Sequence, residues 1–235
     1  MIRTFYILII LFFITSCSQK TVPFGLKRTI YQMQENLNDT VKYDFKIAPE
    51  RIASSKHHFG LGLELRNGKG LWRGGKLRTY FKLNGINHPD DMSGIILTTL
   101  HRKLNNKPIK FKEQKRYYKE YWRLARIEGD SLKKWWAANN TQDELDSLSQ
   151  IYFSNFEIGR KVLGSVGAWT PMENGHSSGT EVKMIGDIIE RKDRIFKVKI
   201  IHLGVYKDKF ILNYKIGDTI ETSPDEVYLI PESKN

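Results

Sequence analysis

Cysteine is almost absent from the 235-residue chain, in which Cys17 is the only one. A framework of internal disulfides and a zinc cluster of thiolates are therefore both excluded. Long apolar stretches are missing as well: the run from Phe5 to Ile14 has ten residues, whereas a helix needs about 20 to span a bilayer. The sequence shows no internal repeat and no nucleic-acid-binding motif. With 40% hydrophobic and 27% charged residues, the composition is that of a globular protein of one or two domains.

The first 17 residues carry the strongest pattern. Arg3 supplies a positive charge, the ten-residue apolar run follows, and Ile14-Thr15-Ser16-Cys17 ends it. This ending resembles the lipobox of bacterial lipoproteins. The resemblance implies that residues 1–16 are a signal peptide, that Cys17 is lipidated, and that residues 17–24 link the anchor to the folded chain. It also implies attachment to the outer membrane, facing the periplasm, because Ser18 and not aspartate follows the cysteine. An ordinary secretory signal or a short membrane anchor is the alternative.

Residues 25–156 have the periodicity of helices. His88-Pro89-Asp90-Asp91 is a typical helix start, with proline in the first turn and two acids near the positive end of the dipole. Thr141 to Glu144 forms a capping box that predicts a second helix start. The polar stretch from Val41 to Ser55 is interpreted as a connector. An apolar stripe at helical spacing opens the region: Leu26, Ile30, Met33 and Leu37.

Residues 157–235 change to the pattern of short strands. Gly164 to Gly179 is rich in glycine and serine and is predicted to be a long loop, in which Trp169 is a candidate binding residue. The sequence therefore predicts an α+β protein, a mainly helical domain over residues 25–156 followed by a small antiparallel β-barrel-like domain of SH3 or OB type. The predicted strands are Thr180–Ile189, Arg194–Leu203, Lys209–Tyr214 and Glu226–Ile230.

The net charge of +12 is concentrated in the helical region. Residues 17–156 carry 25 basic and 14 acidic side chains, whereas residues 157–235 carry 12 of each. Such a surface favours an anionic partner, which would be a lipid, a cell-wall polymer or an envelope protein, and the lipobox argues against nucleic acid. A basic helix face that is merely solvated is the alternative. The densest basic stretch comprises Lys103, Lys107, Lys110, Lys112, Lys115, Arg116 and Lys119.

Several short sequence motifs between residues 50 and 125 resemble those of an uncharacterised bacterial domain of unknown function. They are His58-Phe59-Gly60-Leu61-Gly62-Leu63, Arg66-Asn67, Gly70-Leu71-Trp72, and the stretch from His88 to Leu97, followed by Tyr121-Trp122. The family brings no activity with it. The resemblance therefore implies a domain boundary and leaves the function open.

Histidines and acids near residues 57–101 are the candidates for catalysis. An envelope hydrolase with a site around His57, His58, His88 and Asp91 is one hypothesis, and His58, His88, Asp91 and His101 are its candidate catalytic residues. The simpler interpretation makes His88 a helix cap and His101 a structural histidine. Their spacing matches no known metal-ligand motif, so no metal and no cofactor is predicted. Gly70 to Lys76 resembles a phosphate-binding loop, but Leu77 replaces the required serine or threonine.

Aromatic residues at helical spacing offer one further possibility, stacking on the sugar rings of a glycan. The candidates are Tyr121, Trp122, Trp135 and Trp136. Aromatics at this spacing are more often core, which we expect for all but Trp135 or Trp136. The sequence thus favours a non-catalytic binding or structural module of the envelope over an enzyme.

Overall fold

The computed structural model describes residues 24–127, 130–171, 177–204 and 211–232. The predicted signal peptide, Cys17 and the predicted linker before residue 24 lie outside these ranges. Within them, a helical part precedes an antiparallel sheet, which confirms the α+β prediction. The helices are α1 (Phe24–Asn36), α2 (Asp39–Ile47), α3 (Glu50–Lys56), α4 (Leu61–Gly68), α5 (Lys76–Leu83), α6 (Pro89–Leu104), α7 (Phe111–Ala125), α8 (Asp130–Asn139) and α9 (Gln142–Ser154).

Both predicted helix starts are confirmed. His88 is the N-cap of α6, and its Nδ1 accepts a hydrogen bond from the backbone N–H of Asp90 at 3.3 Å. Thr141 caps α9 in the same way, accepting from the backbone N–H of Glu144 at 3.3 Å. Each cap satisfies a backbone donor that the first turn of a helix leaves without a partner.

The interpretation of Val41 to Ser55 as a connector is wrong, because α2 and α3 occupy it. Asn38 begins α2 by accepting from the backbone N–H of Val41 at 2.8 Å, and Pro49 separates the two helices. Although residues 41–55 are mostly polar, both helices have a buried side, which includes Asp44, Phe45 and Ala53.

Helix α6 is the centre of the helical part. Met92, Ile95, Ile96 and Leu100 lie on one face of this helix and are fully buried, and Leu104 at its end is partly buried. The helix packs against α1, α3, α4 and α7. A helix enclosed on several sides in this way positions the residues at both of its ends.

The sheet contains β1 (Lys161–Pro171), β2 (Ser177–Lys192), β3 (Ile195–Leu203), β4 (Ile211–Leu212), β5 (Thr219–Thr222) and β6 (Tyr228–Leu229). Its strand order is β4-β1-β2-β3-β5, and β6 also pairs with β1. Every pairing is antiparallel. The pairings described leave β5 and β6 unjoined, so the sheet is barrel-like only in a loose sense.

The predicted long loop over Gly164 to Gly179 is wrong for most of its length. β1 and β2 form one long hairpin whose register runs from Lys161 opposite Asp187 to Pro171 opposite Ser177. Residues 172–176, which follow β1 in the sequence, lie outside the described ranges. A Cβ on Gly164 would come within 2.9 Å of the side chains of Met184 and Val227, so the small residue permits close packing inside the strand.

The helical part and the sheet share one continuous hydrophobic core. Phe156, just after α9, stacks on Phe196 of β3 with ring centroids 5.1 Å apart. Val227 and Leu229 are buried beside the helices. The change from helix to strand falls between residues 154 and 161, close to the predicted boundary at residue 157.

Candidate functional site

Asp90, at the start of α6, joins two of the candidate histidines. Its carboxylate lies 3.5 Å from Nδ1 of His88 and 4.0 Å from Nε2 of His58. The guanidinium of Arg66, from α4, is closer, at 3.0 Å. Arg66 is itself buried and also donates to Ser93 Oγ at 3.0 Å. The ion pair of Asp90 and Arg66 therefore holds α4 against the N-terminus of α6. The guanidinium of Arg66 occupies the position beside the carboxylate that a metal cation would take.

Asp91 points to a different set of partners. The indole N–H of Trp122, on α7, donates to its carboxylate at 2.6 Å. Burial raises the pKa of Asp91, and the hydrogen bond from Trp122 only partly opposes that effect. Trp122 was expected in the core, but 38% of it is exposed, with its ring 5.6 Å from that of His88.

His101 and His57 do not join the cluster around Asp90. His101 lies near the opposite end of α6, where its Nε2 is 2.8 Å from the backbone oxygen of Ala48. His57 is buried beside Asp44 and Phe45, and its ring stacks on that of Tyr228 at 5.7 Å. The hypothetical hydrolase site is thus split. Only His58 and His88 come together, at Asp90, whereas the carboxylate of Asp91 binds Trp122.

The cluster around Asp90 lies apart from two cavities of the molecule. A catalytic pair needs a recess in which a substrate meets both groups. Neither of the two cavities described below is lined by His58, His88 or Asp91. The described residues also contain no group of three or more His, Cys, Asp or Glu side chains placed to hold a metal ion.

The seven predicted basic residues surround the junction of α6 and α7. Lys110 is paired with Glu113 at 3.4 Å. Lys115 donates to Asn84 Oδ1 at 2.8 Å and lies over the ring of Phe111. The other five are exposed: Lys103, Lys107, Lys112, Arg116 and Lys119.

Three of these exposed cations share one side of α7, which we call the basic face: Lys112, Arg116 and Lys119. At 3.6 residues per turn they fall within an arc of about 60°. Gln114 and Leu124, on other sides of the helix, are buried. No carboxylate of the described residues forms an ion pair with any member of the basic face. The charge is therefore available to an external anion.

A cleft of about 680 Å³ opens along the flank of α7. Tyr117 of α7 and Trp135 of α8 line it on one side, with ring centroids 5.0 Å apart. Arg51 of α3 and Arg102 of α6 line the other side. The expectation that Trp135 or Trp136 lies outside the core agrees with α8, which has no buried residue. A smaller cavity of about 270 Å³ lies between α1 and α4, against Met33 and Leu65.

Glu50 anchors one wall of this cleft. It forms a two-pronged ion pair with Arg102, at 2.7 and 2.8 Å. Burial alone would raise the pKa of Glu50, but contacts with His101 and Arg102 outweigh it and lower the pKa to about 2. Glu50 is therefore ionised, and its charge is neutralised by Arg102.

Sequence reasoning missed a buried network centred on Asp44. The carboxylate accepts from Lys56 Nζ at 3.0 Å, from Tyr152 Oη at 2.6 Å and from the backbone N–H of Leu229 at 3.2 Å. Lys56 also donates to the backbone oxygen of Val227 at 2.6 Å. These contacts connect α2, α3 and α9 with β6. The only signal for these contacts is the burial of an aspartate and a lysine. A polar stretch of sequence does not reveal that either side chain is buried.

Two further predictions concern the stretch that resembles a phosphate-binding loop and the side chain of Trp169. Gly70 to Gly75 lies in the connection between α4 and α5, which begins at Lys76, and a Cβ on Gly70 would lie 2.5 Å from the backbone oxygen of Gly74. Trp72, within this connection, is 47% exposed. The backbone of Trp169 belongs to β1, but its side chain lies outside the described part, so its predicted binding role stays a prediction.

Comparison with known proteins identifies one similarity. A family model described as Domain of unknown function (DUF6794) matches residues 22–104, about a third of the chain. The match is consistent with the predicted uncharacterised domain, but it begins at α1 and ends with α6, whereas the prediction covered residues 50–125. No curated protein and no solved structure matches the chain. None of the described helices is both long and apolar enough to cross a membrane.

Proposed function

We propose that the chain is a lipid-anchored envelope protein that binds an anionic surface through the basic face of α7, without catalysis. The observation that carries the proposal is the exposure of Lys112, Arg116 and Lys119 on one side of one helix. Unpaired cations that share a face attract phosphate and carboxylate groups over a Debye length of about 8 Å at physiological salt. The lipobox supplies the second part of the proposal, because an anchor at Cys17 would keep this face near the membrane.

Vesicle binding tests the basic face. The chain from Ser18 onward keeps every described element and lacks the anchor, so its binding reports the folded part alone. The double variant Lys112→Gln, Lys119→Gln removes two cations outside the cleft and keeps good helix formers. At about 1 kcal/mol per lysine near an anionic surface, it should bind phosphatidylglycerol vesicles roughly 30-fold more weakly at low salt. The difference should shrink as salt rises.

The matched control changes the same charge on the sheet. Lys183→Gln, Lys199→Gln replaces two exposed lysines of β2 and β3 and should bind like the wild type. Equal losses in both double variants would show general charge attraction and contradict the proposal. So would a wild-type chain that does not bind these vesicles at low salt.

The anchor has its own test in the full chain. Cys17→Ser should leave the precursor unprocessed or release the protein from the membrane fraction, because the sulfur is the acylation site that the lipobox implies. Normal processing with full membrane retention would overturn the lipoprotein assignment and leave the basic face unaffected.

A further inference from the structure

The cleft beside α7 differs chemically from the basic face. Its volume of about 680 Å³ is within the range of small-molecule sites, about 300–1,000 Å³. Four glutamates and three arginines line it. Arg51 is paired with Glu144 at 3.1 Å and Arg102 with Glu50 at 2.7 Å, whereas Arg116 forms no ion pair among the described residues. A ligand in this cleft therefore meets many hydrogen-bonding groups and little net charge.

The aromatic wall supplies an apolar surface next to these polar groups. Tyr117 is 36% exposed, and the ring of Trp135 is inclined to it by 47°. Helix α8, which carries Trp135, has no buried residue, so burial of that tryptophan in a core does not explain its position. A pyranose ring has the matching character, with a face of C–H groups and an edge of hydroxyls.

Gln114 provides a second, independent observation. It lines the cleft and is buried, and its amide nitrogen donates to the backbone oxygen of Ile109 at 2.7 Å. Its amide oxygen has no hydrogen-bond partner among the described residues. A buried acceptor without a donor is destabilising, and a hydroxyl group is a donor that removes this cost.

We propose that the cleft is a saccharide-binding site, in which Trp135 stacks on a sugar ring and Gln114 accepts from a sugar hydroxyl. The four glutamates of the lining outnumber its three arginines and disfavour a polyanion here, so the ligand is a neutral glycan segment. The site borders the basic face at Arg116, which lines the cleft, but Lys112 and Lys119 lie outside it, so the two proposals are tested at different residues.

Calorimetry with the full chain in detergent tests the site. The probes are chitotetraose and maltotetraose, which differ in acetamido groups and linkage, with an uncharged tetrapeptide as the competing class. We expect one of the tetrasaccharides to bind. Trp135→Ala should weaken that binding about tenfold or more, and Trp135→Phe, which keeps a flat ring, should weaken it less than about threefold.

The neighbouring tryptophan is the matched control. Trp136 is 51% exposed on the same helix and does not line the cleft, so Trp136→Ala should bind like the wild type. Equal losses in Trp135→Ala and Trp136→Ala would overturn the proposal, as would binding of the peptide alone or no binding of either sugar up to roughly 10 mM. Lys112→Gln, Lys119→Gln should leave sugar binding unchanged, which separates failure of this site from failure of the basic face.

Discussion

The imidazole of His57 is enclosed by groups that keep it neutral. It is buried against the ring of Phe45 and stacked on Tyr228, with the ammonium of Lys56 as its neighbour in the chain and Asp44 at 3.9 Å. Burial, with a smaller contribution from the charge of Lys56, lowers the pKa of His57 from 6.5 to about 3. Histidine here acts as an aromatic packing residue.

This burial predicts a pH dependence of stability. Below pH 6.5 the unfolded chain takes up a proton at His57 that the folded chain does not, so stability falls as the pH falls towards 3. The loss between pH 7 and pH 5 should be about 2 kcal/mol. His57→Phe keeps an aromatic ring and should flatten this part of the curve, as measured by urea unfolding.

The exposed His202 of β3 provides the control. His202→Phe should retain the wild-type slope between pH 7 and pH 5. A His57→Phe curve as steep as that of the wild type would show that another group causes the loss.

At the scale of single elements, the crossing of α6 and α7 depends on Gly94. A Cβ at this position would collide with the hydroxyl group of Tyr118. Alanine is the better helix former by about 1 kcal/mol, so propensity alone predicts that Gly94→Ala stabilises α6. Because the collision forces two packed helices apart, we expect instead a destabilisation of about 1–3 kcal/mol in thermal or urea unfolding.

Removal of the hydroxyl should separate these two effects. Gly94→Ala, Tyr118→Phe should recover most of the loss. Gly68→Ala near the end of α4, where a Cβ would meet nothing within 4 Å, should be neutral or slightly stabilising. A stable Gly94→Ala single variant would mean that α6 and α7 adjust at little cost.

Predictability from sequence also differs between elements. The start of α6 was predictable because Pro89 and Asp90 act through local backbone chemistry. β1 was not, because glycines inside a strand have the composition of a loop, and the side chain of Val227 that packs on Gly164 is distant in sequence. The network of Asp44 was not predictable for the same reason, because its partners lie between 12 and 185 positions away in the sequence. Local rules thus give helix boundaries, while the candidate site depends on distant contacts.

Across the whole molecule, the Asp44 network joins the two parts of the fold. Asp44→Asn keeps the shape but leaves the ammonium of Lys56 buried without a counter-charge, which typically costs about 3–5 kcal/mol. We expect a loss of this size in a single unfolding transition, because helices and sheet share one core. Urea unfolding followed by circular dichroism measures it.

A second substitution tests whether the cost comes from the unpaired charge. Asp44→Asn, Lys56→Met removes both charges and should lose less than the sum of the two single variants. A transition of the sheet that separates from that of the helices would contradict the shared core and favour two independently stable domains.

Burial of Lys56 also determines what its amine can react with. The side chain is only 2% exposed, and its nitrogen is occupied by Asp44, Tyr152 and Val227. Burial lowers its pKa, with Asp44 opposing the effect, yet no acylating reagent can reach the nitrogen while the helices cover it. Lys56 is thus a nucleophile that is protected by burial. Its acylation would report how often the helices separate from the sheet.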